Sequence, residues 1–241
     1  MAIHFISDLH LHPGEPWLGQ LFTRTLASWR GQIDALYILG DLFEYWVGDD
    51  DTDPFVHDML AAMQAFSAST PLYVMRGNRD FLLGPGFAAA SGATLLDEPH
   101  LLQACGQPYV LVHGDGQCTD DAAYQQFRAM VRQPAWQVAF LQKPLAERHA
   151  IAQQIRGMSQ AKKQDEGLNE MGDVTPAAID ALLAAYPGAT LIHGHTHRPA
   201  CHTQQLHGET RQRWVIADWY AGRGGYLRLD EHGLSAHALA L

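Results

Sequence analysis

The sequence predicts a layered α/β fold, in which strands are covered by helices on both faces. Three observations predict it: short apolar runs recur along the chain, helical patterns separate the first of these runs, and polar residues follow several runs directly. The runs predicted as strands are residues 3–7, 35–39, 72–76, 109–113, 190–193, 214–217 and 226–229.

Two helices are predicted between the first three strands, at residues 17–30 and 54–69. The second has a clear start, because Thr52-Asp53 supplies a capping side chain and Pro54 suits the first helical turn. The resulting β-α-β-α-β order is typical of α/β layered folds.

The middle of the chain has a different pattern. Between residues 119 and 172 no strand pattern occurs, and apolar residues have helical spacing in "TDDAAYQQFRAMVR" and "PLAERHAIAQQIRGM". We therefore predict a helical insertion over residues 119–172, a cap above the sheet, within one domain that spans residues 1–241.

Composition excludes several classes of protein. The chain has 241 residues, is 47% hydrophobic and carries a formal net charge of -10, which argues against general nucleic-acid binding. Three cysteines without a CxxC pair argue against a disulfide framework or a zinc ribbon. The opening "MAIHFISDLH" lacks signal-peptide features and no apolar run is long enough to span a bilayer, so we expect a cytoplasmic protein.

Metal-ligating residue types follow five of the predicted strands. In α/β sheets, ligand sites gather beyond the carboxyl ends of the strands, so we expect these side chains to meet at one rim. The candidate ligands are Asp8, His10, Asp41, Asn78, His113, His195 and His197. Oxygen and nitrogen donors without thiolate suit divalent ions such as Mn²⁺, and seven donors suit two ions. Asp41 is the natural bridge, because its carboxylate has two oxygens, and two such ions can hold one hydroxide and clamp a phosphoryl group.

Taken singly, each of these segments has an ordinary structural explanation. A strand-end aspartate usually caps a turn, and a lone His113 would usually be a hydrogen-bonded core residue. The pair of imidazoles in "GHTH" is more specific, and five such segments in order make a purely structural origin very improbable.

The ordered motifs D-x-H, G-D, G-N-R-D, H-G-D and G-H-T-H resemble those of the calcineurin-like metallophosphoesterases. The resemblance implies a two-sheet β sandwich flanked by helices, with a dinuclear metal centre. It assigns one ion to Asp8, His10, Asp41 and His197. It assigns the other to Asp41, Asn78, His113 and His195.

Longer segments resemble one branch of that family, the UDP-2,3-diacylglucosamine pyrophosphatases of lipid A biosynthesis. They are "SDLHL", "ALYILGDLFEYWVGDDD", "GNRDFLLG", "HGD…CTDDAAYQ.FR" and "HGHTHRPA". The resemblance implies two Mn²⁺ ions per chain and hydroxide attack on the α-phosphorus, giving UMP and 2,3-diacylglucosamine 1-phosphate. It also implies peripheral contact with the cytoplasmic face of the inner membrane, without a nucleic-acid or protein partner.

Arg79 stands where many metallophosphoesterases have a histidine that can protonate a leaving alkoxide. Arginine cannot donate a proton usefully at neutral pH, but it neutralises phosphate charge well. Arg79 therefore favours hydrolysis of a phosphoanhydride, whose phosphate leaving group needs no general acid. The structural alternative is a scaffold ion pair of Arg79 with Asp80. We expect Asp41, Asn78, Arg79 and His195 to act in catalysis.

The insertion is expected to hold the rest of the substrate. By resemblance, the head group contacts Asp121, Ser159, Lys162 and Lys163, together with Asn78, Arg79 and His195. Residues 134–158 form an amphipathic pattern, which fits either packing on its own domain or an acyl groove whose outer face touches an anionic membrane.

Three alternatives stay open at this point. The acidic run "VGDDDTD" at residues 47–53 fits a solvated loop that caps the next helix, and a third metal site is the less favoured explanation. The enzyme could hydrolyse another nucleotide-sugar or a dinucleotide, because only the insertion distinguishes the substrates. A non-catalytic binding module on the same fold is the least favoured, because none of the seven ligands is missing.

Overall fold

The computed structural model describes residues 2–166 and 172–240, with side chains described as far as residue 157 in the helix that ends at residue 166. The strands are β1 Ile3–Ile6, β2 Ala35–Leu39, β3 Leu72–Met75, β4 Thr94–Leu96, β5 His100–Ala104, β6 Gln107–Leu111, β7 Thr190–His193, β8 Ala200–Leu206, β9 Glu209–Val215, β10 Arg223–Asp230 and β11 Gly233–Ala240. The helices are α1 Pro16–Trp29, α2 Pro54–Ser67, α3 Pro85–Ser91, α4 Ala122–Val131, α5 Pro134–Leu141, α6 Leu145–Glu166 and α7 Pro176–Ala185.

The strands form two mixed sheets that pack face to face. The first sheet has the order β11-β10-β1-β2-β3-β4, and the second has the order β5-β6-β7-β9-β8. Apolar side chains from both sheets, such as Phe5, Met75, Leu111 and Ile192, form one buried cluster between them. The layered α/β class predicted from the sequence is confirmed.

Helices cover the outer faces of both sheets. On the first sheet, β1–β3 share a buried cluster with α1, α2 and α3, in which Phe22, Met63 and Phe87 are fully covered. On the second sheet, Ile179 and Leu183 of α7 pack against Val110 and Leu191. The predicted start of α2 is also confirmed, because the side chain of Asp53 accepts a hydrogen bond of 2.8 Å from the backbone N–H of Phe55.

Four strands escaped the sequence analysis, namely β4, β5, β8 and β11. β5, β8 and β11 are edge strands of their sheets, so polar residues break their apolar pattern. β4 has only three residues. Edge position and short length hide strands from a search for continuous apolar runs.

The amphipathic pattern at residues 134–158 spans two helices. α5 ends at Leu141 and α6 begins at Leu145, and Pro144 lies between them. A proline has no backbone N–H and disfavours helical backbone in the residue before it, which explains the break.

The segment predicted as an insertion leaves and rejoins the sheet at one point. The backbone N–H of Thr175 donates to the carbonyl of Gln117 at 2.9 Å, and the hydroxyls of Thr119 and Thr175 lie 2.6 Å apart. Between these contacts, the described part of residues 119–172 contains α4, α5 and α6 and no strand. Arg148 of α6 ties it to the core by donating to the carbonyl of Val47 at 2.7 Å.

Among the helices in residues 2–166 and 172–240, none combines the length and apolar character that crossing a bilayer requires.

Candidate metal centre

The candidate ligands come from loops at the carboxyl ends of neighbouring parallel strands. β1, β2 and β3 run parallel in the first sheet, and β6 and β7 run parallel in the second. The loops after these strands meet across the two sheets. The backbone N–H of His195, in the loop after β7, donates to Oδ2 of Asp8, in the loop after β1, at 2.8 Å. All seven predicted side chains therefore lie at one rim of the sandwich.

Three ligand atoms meet at one point in what we call the Asp8 group, which consists of Asp8, His10 and His197. The Nε2 atoms of His10 and His197 lie 3.4 Å apart, and His197 Nε2 lies 3.5 Å from Asp8 Oδ1. Asp8 Oδ1 is buried and receives no hydrogen bond from the residues that the structure describes. A buried carboxylate oxygen without a donor, facing two imidazole nitrogens, fits a cation ligand.

A second set of ligand atoms lies beside the first. We call it the Asn78 group, and it consists of Asn78, His113 and His195. Asn78 Oδ1 lies 3.0 Å from His113 Nε2 and 2.8 Å from His195 Nδ1. Asp41 stands between the two groups, with Oδ1 3.6 Å from His113 Nε2 and Oδ2 3.9 Å from His10 Nε2. Each oxygen of the Asp41 carboxylate therefore faces one group, as a bridging ligand requires.

The backbone of these loops adopts conformations that side-chain-bearing residues rarely take. Five of the seven residues have positive φ: Asp8 at 56°, His10 at 49°, Asp41 at 52°, His195 at 66° and His197 at 53°. Each such conformation costs about 1 kcal/mol or more and persists only where the surroundings enforce it.

Two glycines allow the loops to pack this closely. A Cβ atom at Gly77 would overlap the carboxylate and backbone nitrogen of Asp41, and one at Gly194 would overlap Ser7 and Asp8. Only glycine lets the loop backbones approach the ligand side chains so nearly.

Asp80 fixes the position of two of these loops. Its carboxylate is fully buried and accepts 2.7 Å hydrogen bonds from the backbone N–H groups of Leu42 and Gly77. The loop after β2 and the loop after β3 are thus held by one side chain. Backbone donors occupy both carboxylate oxygens of Asp80.

Two carboxylates that the sequence analysis did not single out support the Asp8 group. Glu44 Oε2 lies 3.0 Å from His10 Nδ1, and Asp218 Oδ2 lies 3.0 Å from His197 Nδ1. A signal for Asp218 was present, since it directly follows the apolar run at residues 214–217. Glu44 follows Asp41 by three positions and had no comparable signal.

The cap contributes a buried network next to the Asn78 group. Asp115 accepts hydrogen bonds from Tyr124 Oη at 2.5 Å and Arg128 Nε at 2.8 Å. Arg128 also contacts Glu98 at 3.0 Å, and Glu98 accepts from the backbone N–H of His113 at 2.7 Å. α4 is therefore connected to a candidate ligand through charged hydrogen bonds.

The electrostatics of the rim favour positive charge. Burial alone would lower the pKa of His113, but Asp41 and Asp8 outweigh it and raise that pKa to about 9. Burial likewise opposes a charged His197, yet the carboxylates of Asp218 and Asp8 outweigh it and raise its pKa to about 10. Burial lowers the pKa of His195 to about 4, with the charge of His113 acting in the same direction. Carboxylates that hold protons on buried imidazoles would hold a metal cation in their place.

The remaining predicted residues lie in or beside the cap. Arg79 donates its backbone N–H to Asp41 Oδ1 at 2.8 Å, and its Nη1 lies 4.0 Å from Glu44 Oε1. Asp121 caps α4 by accepting from the N–H of Tyr124 at 3.0 Å. Ser159, Lys162 and Lys163 fall outside the residues whose side chains are described.

The acidic run at residues 47–53 forms a loop whose carboxylates have structural partners. Asp49 accepts from the backbone N–H groups of Gly84 and Gly86 at 3.1 and 2.7 Å. Asp50 contacts both terminal nitrogens of Arg148. These contacts support the loop interpretation rather than a third metal site.

Comparison with known proteins gives consistent matches. A family model described as calcineurin-like phosphoesterase matches residues 1–199. A Chromobacterium violaceum protein called UDP-2,3-diacylglucosamine hydrolase is 65% identical over 234 residues, covering 97% of this chain and 97% of that protein. A Stenotrophomonas maltophilia protein of the same name is 46% identical over 247 residues, covering 100% of this chain and 99% of the relative.

Proposed function

The chain belongs to the calcineurin-like phosphoesterase family and, within it, to the UDP-2,3-diacylglucosamine hydrolases, and from this premise we propose its reaction in detail. It hydrolyses the pyrophosphate bond of UDP-2,3-diacylglucosamine in lipid A biosynthesis. Oxygen from water bonds to the α-phosphorus, and the bond from that phosphorus to the bridging oxygen breaks. The products are UMP and 2,3-diacylglucosamine 1-phosphate. The observation that carries the proposal is the pair of ligand groups on either side of Asp41.

The family implies divalent metal ions, and the donor set fits two of them. Asp8, His10, Asp41 and His197 would hold one ion, and Asp41, Asn78, His113 and His195 would hold the other. Oxygen and nitrogen donors without thiolate favour Mn²⁺. When bound, two such ions would lower the pKa of the attacking water and neutralise charge on the phosphate oxygens.

We assign to Asn78, Arg79 and His195 the task of acting on the phosphates. With Nδ1 of His195 on the ion beside Asn78, Nε2 would carry the ring proton and could donate it to a phosphate oxygen. The backbone N–H of Arg79 donates to Asp41, so the hydrogen bond holds the backbone of this arginine beside the metal centre. The arginine stabilises negative charge on the phosphates without acting as a general acid.

The cap supplies the binding surface for the acylated sugar. We assign head-group contacts to Asp121, Ser159, Lys162 and Lys163, which belong to α4 and α6 and their flanks. Trp136 and Phe140 of α5 stack with ring centroids 5.0 Å apart and pack inward. Packing on the protein's own core therefore accounts for the inner face of this helix.

The outer face of the cap carries exposed apolar side chains. Met130, Val138 and Leu141 are 44%, 56% and 40% exposed, whereas most side chains of their size are covered. We propose that this face touches the cytoplasmic surface of the inner membrane, where the acylated substrate resides.

The test is UMP release from UDP-2,3-diacylglucosamine, with and without Mn²⁺, using UDP-N-acetylglucosamine as the control substrate. We expect release that depends on Mn²⁺ and on the acyl chains, and nearly complete loss in Asp41→Asn. Equal rates on the unacylated sugar would contradict the assignment of the cap. Full turnover by Asp41→Asn with both metals bound would contradict the bridging role of Asp41.

A further inference from the structure

The two halves of the metal centre differ in what supports their histidines. In the Asp8 group, the outward nitrogen of each imidazole faces a carboxylate, Glu44 for His10 and Asp218 for His197. We infer that Glu44 and Asp218 are positioning residues that make the Asp8 group the tighter of the two cation sites. The inference rests on the proposed dinuclear centre but requires nothing about the organic substrate.

The carboxylates determine which imidazole nitrogen faces the centre. A carboxylate 3.0 Å from Nδ1 favours the tautomer with its proton on Nδ1, so the lone pair is on Nε2. The two Nε2 atoms are those that face each other at 3.4 Å. The Glu44 contact acts through charge, because His10 Nδ1 makes no hydrogen bond of good geometry among the described residues.

The side chain of Glu44 and the backbone beside Asp218 are both held in place. Glu44 is 8% exposed, and its Oε1 accepts from Arg156 Nε at 2.7 Å and lies 4.0 Å from Arg79 Nη1. Asp218 precedes Trp219, whose backbone N–H donates to the carbonyl of Asp8 at 3.0 Å. The supporting charges thus stay next to their imidazoles when the ion is absent.

In the Asn78 group, the ring nitrogen of His113 that faces away from the centre has a neutral partner instead. His113 Nδ1 bonds to the carbonyl oxygen of Leu39 at 2.8 Å, which is an uncharged acceptor. Asn78 contributes an amide oxygen where the Asp8 group has the carboxylate of Asp8. Asp115, a buried acid near His113, is already neutralised by Arg128 at 2.8 Å.

The difference in charge predicts unequal affinity. With Asp41 shared, the Asp8 group adds the ligand carboxylate of Asp8 and the supporting carboxylates of Asp218 and Glu44, of which Arg156 partly offsets the last, and each of these favours a divalent cation. Carboxylates behind metal-bound histidines typically change metal affinity by about 10–100-fold. The centre should therefore fill in two steps, with the Asp8 group first.

The experiment is a calorimetric titration of Mn²⁺ into the metal-free, full-length chain, with free Mn²⁺ followed in parallel by electron paramagnetic resonance. We expect two binding steps that differ at least about 10-fold in the wild-type protein. Glu44→Gln and Asp218→Asn should each weaken the first step about 10–100-fold and change the second less than about threefold.

Asp50→Asn is the matched control. It removes a carboxylate from the same part of the chain as Glu44, but its partner is Arg148 and not an imidazole. Both binding steps should be unchanged in this variant. Thermal unfolding of every metal-free variant shows whether it is folded, and because the two positions act separately, either variant alone can test the inference.

Two equal sites in the wild-type protein would overturn the inference. It would also fail if either folded variant kept the first step intact, or weakened the second step as much as the first. Because no substrate is present, the outcome is separate from the proposed reaction: an enzyme inactive on UDP-2,3-diacylglucosamine that still fills in two unequal steps would support this inference alone.

Discussion

Replacement of Asp80 by alanine should destabilise the protein through the backbone and not through the loss of an ion pair. The fully buried carboxylate accepts short hydrogen bonds from the N–H groups of Leu42 and Gly77, one from each of two ligand loops. Alanine leaves both donors buried without an acceptor. A buried, unsatisfied N–H costs about 1–3 kcal/mol, so two cost about 2–6 kcal/mol.

The charge of Asp80 places the expected value in the lower part of that range. Burial and the nearby charge of Asp41 raise the pKa of Asp80 to about 6, so removing the carboxylate also relieves a repulsion. We expect Asp80→Ala to lose about 2–4 kcal/mol of unfolding free energy. Asp80→Asn keeps one acceptor oxygen and should lose about half as much.

Urea unfolding of the metal-free proteins, followed by tryptophan fluorescence, measures this effect. Asp58→Ala is the control, because Asp58 is exposed on α2 and its replacement should change stability by less than about 0.5 kcal/mol. The reasoning would be refuted by an Asp80→Ala protein as stable as the control, or by Asp80→Asn being the less stable of the two Asp80 variants.

Three further predictions concern other parts of the chain. Gly77→Ala should lower Mn²⁺ affinity and turnover by at least about 100-fold, because the added Cβ would overlap Asp41. Gly157→Ala is the control and should behave as wild type, because a Cβ there meets nothing within 4 Å. Equal Mn²⁺ affinities of the two variants would contradict this prediction. Arg148→Ala should cost about 1–3 kcal/mol in urea unfolding, since it leaves a backbone carbonyl without its buried donor, and an unchanged midpoint would refute it. Burial lowers the pKa of His4 from 6.5 to about 4, so the unfolded chain binds the extra proton between these values. Wild-type stability should therefore fall, relative to His4→Leu, as the pH of metal-free buffer drops from about 6.5 to about 4, and parallel pH profiles would contradict the assignment.

The sequence was most informative where local pattern and position coincide. Asp8, Asp41 and His113 each follow an apolar run, and the carboxyl ends of parallel strands share one edge, so their meeting at one rim could be predicted without coordinates. The layered fold could be predicted for the same reason, because central strands are apolar on both faces.

What escaped prediction depends on contacts between distant segments. The inferred role of Glu44 depends on its contacts with His10 and with Arg156, which lies 112 positions further along the chain. The positive φ of Asp8 or His197 has no compositional signal, because glycine is the residue expected there. Edge strands such as β8 were missed because their solvent-facing residues are polar.

The joined ends of the cap have a consequence for how this architecture can diverge. Because the backbone N–H of Thr175 donates to the carbonyl of Gln117, the segment between them is joined to the sandwich at its two ends as a loop would be. Loop-closure entropy rises only slowly with length, so a change in the length of this segment costs the sandwich little where the contacts of Arg128 and Arg148 with the core are kept. Under the proposed roles, the rim carries out hydrolysis and the cap selects the substrate, so substrate choice can change while the chemistry stays the same.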